Sequence, residues 1–172
     1  MAIQDPAMGF VPKTMPKFYS TFKVAADAAA KIYKFAPISI DGGYAIPSDV
    51  TPAAIGGVMG IAMHHVDATP GEVKELTVCT DPDVIYEVNG DTAGVITDVG
   101  GWVLLKTVAG NDANDLSTAT VDLPALTSPT AETNFKVVGI SQTVTNASTT
   151  NKVLVKMVGG AWESGFDLDT DT

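Results

Sequence analysis

Apolar and polar positions alternate cleanly along residues 152–158. Val153, Val155 and Met157 fall on one side, and Lys152, Leu154 and Lys156 on the other. Successive side chains of a strand point to opposite faces, so this period of two predicts a half-buried antiparallel strand over Lys152–Val158. Similar runs bounded by turn residues predict strands over Ile55–Met63, Glu72–Thr80, Asp83–Val88, Gly94–Thr97, Trp102–Val108 and Asn134–Gln142. Within Asp83–Val88 the turn pair Asp81-Pro82 leads into Val84, Tyr86 and Val88, which oppose Ile85 and Glu87. Gly56, Gly57 and Gly60 interrupt the run at Ile55–Met63 and predict a bulge or a close backbone approach.

One segment reads as helix. Ala25–Lys34 (AADAAAKIYK) is rich in the strongest helix former, but it is long enough for only one to three turns. β structure begins again over Lys34–Ile40, and Asp41-Gly42-Gly43 is a turn. Ahead of the helix, Pro6, Pro12 and Pro16 are too close together for helical structure. Phe10, Val11, Met15, Phe18, Tyr19 and Phe22 are scattered through the same region and suit an extended arm anchored on another subunit. Ala109–Thr133 is polar and reads as a long subunit-contacting loop. Glu163–Thr172 is an acidic, frayed end. The expected fold is all-β: an antiparallel β-sandwich or barrel, jelly-roll-like, with an extended N-terminal arm and at most one short helix. The organisation is an arm over residues 1–35, a β-domain over 36–158 and a C-terminal tail over 159–172.

Composition sharpens this picture. With 172 residues the chain suits one domain with a real core, and only 17% of its residues are charged, against about a quarter in an average protein. The longest apolar run, Ala53–Met63, is 11 residues, where a bilayer-spanning helix needs about 20. No membrane partner and no secretory signal are expected. The formal charge is −10 and every positive charge is a lysine. Arginine is the usual choice for bidentate phosphate and base-edge contacts, so direct nucleic-acid binding is not expected. The charge is uneven. Residues 1–34 hold five lysines against two acids, a net of +3, and residues 35–172 hold five against eighteen, a net of −13. A basic segment on an acidic body suits docking on a neighbour, which singles out Lys13, Lys17 and Lys23, with Phe18 and Phe22 as apolar anchors.

Candidate chemistry is sparse. The single cysteine, Cys79, reads as a small buried hydrophobe and leaves no intrachain disulfide. His64 and His65 are adjacent, so on a strand they point to opposite faces and do not share one metal. Asp167, Asp169 and Asp171 alternate like the start of a calcium loop but lack its glycine and late glutamate, and they read as a solvated acidic tail. No serine sits in a Gly-x-Ser-x-Gly elbow, Ser164 included, and there is no phosphate-binding glycine loop. Asn146-Ala147-Ser148 is a chance match to a glycosylation acceptor. No catalytic residue, cofactor or metal is expected. Of the two tryptophans, Trp102 reads as core and Trp162 as an interface or arm-docking residue.

Several of these segments together resemble the head decoration, or cement, proteins of tailed bacteriophages. The most specific is Asp81–Val88 (DPDVIYEV) followed by Gly90-Asp91. Next is the pairing of Phe135–Ile140 (FKVVGI) with Lys152–Met157 (KVLVKM), then Gly57-Val58-Met59-Gly60 and Gly110-Asn111. The likeness covers roughly residues 50–158. It implies a non-enzymatic structural protein on the outer surface of the virion, made in the bacterial host cytoplasm. Such a protein binds the major capsid protein and cements adjacent subunits, with a homotrimer preferred over a homodimer. Another all-β virion component, such as a head fibre or tail protein, and a carbohydrate-binding β-sandwich are the alternatives. On the arm reading, removing residues 1–22 should leave a folded monomer that decorates shells less tightly.

Overall fold

The structure, a computed structural model, describes residues 8–24, 31–48, 57–67, 71–107, 109–128, 134–141 and 152–158. Its first strands are β1 (Val11–Pro12), β2 (Tyr19–Val24), β3 (Lys31–Ile32), β4 (Pro37–Asp41), β5 (Tyr44–Pro47), β6 (Gly60–Ala62), β7 (Val66–Asp67) and β8 (Lys74–Cys79). They are followed by β9 (Ile85–Gly90), β10 (Trp102–Val103), β11 (Leu105–Thr107), β12 (Gly110–Asn111), β13 (Leu116–Ser117), β14 (Thr120–Val121), β15 (Phe135–Ile140) and β16 (Lys152–Met157). Among the described residues a 3-10 turn spans Ile96–Asp98. The fold is all-β, as the patterning predicts.

The larger sheet runs β10-β15-β16-β9-β14-β11, with β1 also paired to β9. Its pairings are antiparallel except β14 with β9, which is parallel. The smaller sheet runs β2-β8-β6-β4-β5, and its outer strands β2 and β5 approach each other, so it curls toward closure. Two short ribbons, β3-β7 and β12-β13, complete the fold.

Two apolar clusters fill it. Along β16, Val153, Val155 and Met157 are buried while Lys152, Leu154 and Lys156 are only partly covered, as the alternation requires. They join Val84, Tyr86, Val88, Phe135 and Val137 in the first cluster. The second contains Val24, Ile32, Ile38, Leu76 and Val78. β6 and β8 separate the two. Ile61 and Cys79 face the first cluster, and Ala62 and Val78 face the second. A strand covered on both faces needs apolar residues at successive positions, which explains the unalternating runs at Ile61-Ala62 and Val78-Cys79. Cys79 is fully buried and accepts a hydrogen bond from Tyr86 OH at 3.1 Å, so its expected role as a buried hydrophobe holds.

Five expectations need correction. The N-terminal segment is not an arm set apart from the body. Phe10 is fully buried, stacks on Phe135 at 4.5 Å between ring centroids and meets Tyr86 edge-on at 6.3 Å. β2 pairs with β8 along all six residues. The helix expected over Ala25–Lys34 gives way at Lys31–Ile32 to β3, because Ile32 enters the second cluster and pairs with Val66; residues 25–30 lie outside the described residues. Gly94–Thr97 is not a strand. The buried Asp98 carboxylate accepts from Val95 N at 2.7 Å and Ala125 N at 2.9 Å, and these bonds hold the chain in a 3-10 turn. The strand expected over Trp102–Val108 breaks at Leu104, since β10 pairs with β15 and β11 with β14. The long loop at 109–133 instead contains β12, β13 and β14, and Leu126 bridges to Trp102.

Candidate interaction surface

Residues 13–19 cross the outside of the body and are pinned to it at two points. Lys13 N donates to Ile85 O at 2.8 Å, and Ile85 N donates to Thr14 Oγ1 at 2.9 Å. Further on, Lys17 N donates to Asp81 Oδ2 at 2.7 Å and Thr80 N donates to Phe18 O at 3.3 Å. Asp81 is buried and also accepts from Asp83 N at 2.9 Å, the local turn that an Asp two residues before an N–H favours. These N–H groups, first that of Lys17 and then that of Asp83, favour the charged carboxylate and hold Asp81 below its usual pKa.

With the backbone held at these points, the intervening and following side chains face solvent. Met15 is 88% exposed, Phe18 62% and Tyr19 50%. One exposed apolar residue is ordinary, but three within five residues on a pinned backbone form a surface. Lys13, Lys17, Phe18 and Lys23, all singled out from the sequence, are exposed along the same segment. Phe22 is not part of it. It faces inward with Ser20 and Val24, because β2 alternates, and packs against the second cluster. Trp162 lies outside the described residues. Trp102, expected in the core, is half-buried on the outer face of β10, with Lys136 Nζ 5.3 Å from its ring centroid; Val103 takes the inward position.

The lysines are less available than their sequence positions suggest. Lys13 Nζ lies 3.2 Å from Glu87 Oε1, and Lys23 sits directly opposite Glu75 in the β2–β8 register. Glu87 itself is buried, although its place opposite Val84, Tyr86 and Val88 predicts an outward side chain. β1 covers it from one side, Ser141 Oγ donates to Glu87 Oε2, and Lys152 Nζ lies 3.9 Å from Oε1. A cleft beside it, lined by Met8, Gly9, Val11, Glu87, Asn89 and Lys152, has a cavity volume of about 10 Å³, room for roughly one water. Small-molecule sites run from about 300 to 1,000 Å³, so this cleft suits packing better than ligand binding.

A second polar group ties β3 to the β12–β13 ribbon. Asp112 Oδ1 accepts from Lys31 Nζ at 2.6 Å and from Tyr33 OH at 2.8 Å. Those bonds lower the pKa of Asp112 and raise those of Lys31 and Tyr33. His65 Nε2 stands 3.7 Å from Asp115 Oδ1 and its ring 5.9 Å from that of Tyr33, while His64 is exposed near the Glu75 carbonyl oxygen. The two histidines therefore part company, although they lie in the connection between β6 and β7 and not on a strand. Among the described residues no group of three or more His, Cys, Asp or Glu side chains is placed to hold a metal ion. No described helix is long and apolar enough to cross a membrane.

Compared with known proteins, the chain matches no family model, no curated protein and no solved structure.

Sequence reasoning pointed to Lys13, Lys17, Phe18 and Lys23 but missed what holds them. Asp81 and Thr14 are the anchors, and the Asp-Pro-Asp turn at 81–83 was the available signal. The burial of Glu87 had no local signal.

Proposed function

We propose that this protein is a structural head component of a tailed bacteriophage. It binds the outer surface of the capsid and cements adjacent major capsid protein subunits, without catalysing a reaction. The observation that carries this reading is the Met15, Phe18 and Tyr19 surface, apolar and fixed in the open by backbone bonds to Asp81, Thr80 and Ile85. Preformed apolar side chains lose little freedom on binding and make good anchors for a partner. The segments that resemble decoration proteins also support it, since β15, β16 and β9 lie side by side at the centre of the larger sheet.

A protein that binds only the assembled shell stabilises it by mass action, and many copies across subunit boundaries multiply that effect. Symmetry axes are the natural docking points, and a homotrimer is preferred over a homodimer. The test is a cryo-EM map of the particle that contains the protein, paired with a binding assay on isolated shells. Regular density on the outer shell at symmetry axes is expected, and Phe18→Ala should weaken shell binding by about thirtyfold, the effect of losing an anchor of about 2 kcal/mol. Density confined to one vertex, or none on the shell, would overturn the reading.

A further inference from the structure

A lysine, an asparagine and a buried carboxylate meet on one face of the larger sheet. Lys152 of β16 lies directly opposite Asn89 of β9 in the antiparallel register, and Glu87 stands two residues before Asn89, on the same face of β9. Directly opposed residues of such a pair have Cβ atoms about 4.5–5.5 Å apart, within the reach of a lysine side chain. Glu87 Oε1 is 3.9 Å from Lys152 Nζ, and the two side chains are only 8% and 15% exposed. Ser141 Oγ donates to Glu87 Oε2 and fixes the carboxylate, while Lys13 Nζ, on a side chain 45% exposed, lies 3.2 Å from Oε1. Glu87, Asn89 and Lys152 together line the cleft of about 10 Å³, which has room for roughly one water. An amine and an amide side by side, with a carboxylate next to them, are the parts of an acyl transfer.

We propose that Lys152 and Asn89 become joined by an isopeptide bond that the chain forms on itself. The Glu87 carboxylate takes a proton from the Lys152 ammonium, and Nζ then attacks Cγ of the Asn89 amide. Glu87 passes its proton to the departing amide nitrogen and takes the second proton from Nζ. The Cγ–Nδ2 bond breaks, ammonia leaves, and the proton on Glu87 goes with it as ammonium. One Nζ–Cγ bond has replaced one Cγ–Nδ2 bond, nothing is oxidised, and Glu87 ends ionised as it began. The register holds the reacting groups side by side beforehand, so little freedom is lost on the way. A cleft of about 10 Å³ takes the departing ammonia but admits little water to compete with the amine. The other attack open to Asn89, by the backbone nitrogen of Gly90, is opposed by pairing: Asn89 and Gly90 lie against Thr120 and Val121 of β14, which holds the backbone extended. The bond would staple β9 to β16 at the centre of the larger sheet, in a chain whose single cysteine leaves no intrachain disulfide. It is one turnover of the chain on itself and does not depend on what the Met15, Phe18 and Tyr19 surface binds.

Tryptic mapping of the full-length protein by mass spectrometry tests this. Trypsin cuts after lysine, so an unlinked chain gives separate peptides 75–106, 137–152 and 153–156. An acylated lysine is not cut. The linked chain should give one branched species, 75–106 joined to 137–156, lighter than the two together by the mass of one ammonia. Lys152→Arg should abolish both the branched species and the ammonia loss. Glu87→Gln should slow formation of the bond at least about a hundredfold. The map of the unaltered chain decides the matter even where a variant fails to fold, and unlinked peptides there would overturn the proposal. So would an ammonia loss that persists in Lys152→Arg, which would assign it to ring closure at Asn89-Gly90, or a bond that forms unslowed in Glu87→Gln.

Discussion

Gly60 shows how closely the neighbouring strands β6 and β8 approach. A Cβ built there would overlap the Cys79 carbonyl oxygen and lie 2.6 Å from Val78 Cγ1. The backbone of β8 cannot yield without disturbing both apolar clusters, so Gly60→Ala should destabilise the protein by about 1–3 kcal/mol. Urea unfolding at neutral pH measures it, and an unchanged midpoint would mean that β6 and β8 slide apart easily. Asp81 makes a different prediction. Its folded pKa is depressed, so the stability from its charged form is present above the unfolded value near 3.9 and is lost as pH falls through the folded one. Asp81→Ala should cost about 1–3 kcal/mol at pH 7, because the N–H groups of Lys17 and Asp83 lose their acceptor. The gap between variant and native protein should close as pH drops below about 4. A gap that stays constant with pH would mean that the carboxylate's charge plays no part.

At the scale of elements, the N-terminal segment is where structure most changes expectation. Removing residues 1–22 takes away Phe10, β1 and most of β2. Replacing a buried Phe by Ala alone costs about 3–5 kcal/mol, a large share of the 5–15 kcal/mol that holds a typical domain together. The truncated chain should therefore fail to fold, rather than persist as a folded monomer with weaker shell binding. Circular dichroism and a thermal melt of the truncated chain decide it, and a cooperative transition near that of the intact protein would restore the arm reading. Tests of docking are better made by single substitutions at Met15, Phe18 and Tyr19, whose side chains the fold does not use.

For the molecule as a whole, the pairing of charges sets the expected response to salt. The net of +3 over residues 1–34 suggests binding that weakens steeply as salt screens exposed charges over about 8–10 Å. In the folded protein Lys13 is paired with Glu87, Lys31 with Asp112, and Lys23 faces Glu75. Apolar contact through Met15, Phe18 and Tyr19 is left as the main attraction. Shell binding should change little between low and high salt, as a titration of protein onto shells at several ionic strengths would show. A steep fall with salt would return the leading role to the lysines.

What could be read without coordinates is what depends on neighbours in sequence. The alternation of Val153, Val155 and Met157 with Lys152 and Lys156 names a strand and its buried face, because both follow from a period of two. The all-β class, the turn at Asp81–Asp83 and the burial of Cys79 were legible on similar grounds. Long-range pairing was not. Lys17 and Asp81 are 64 residues apart, and Glu87 and Ser141 are 54 apart, so no local pattern reveals that the first pair pins a surface segment or that the second buries a carboxylate. Alanine preference also says nothing about Ile32, which becomes strand because Val66 and an apolar cluster wait for it. Local periodicity thus marked the long strands β8, β9, β15 and β16 and most of the faces they offer. Tertiary packing decided which strands meet, and so which apolar side chains are left in the open to bind.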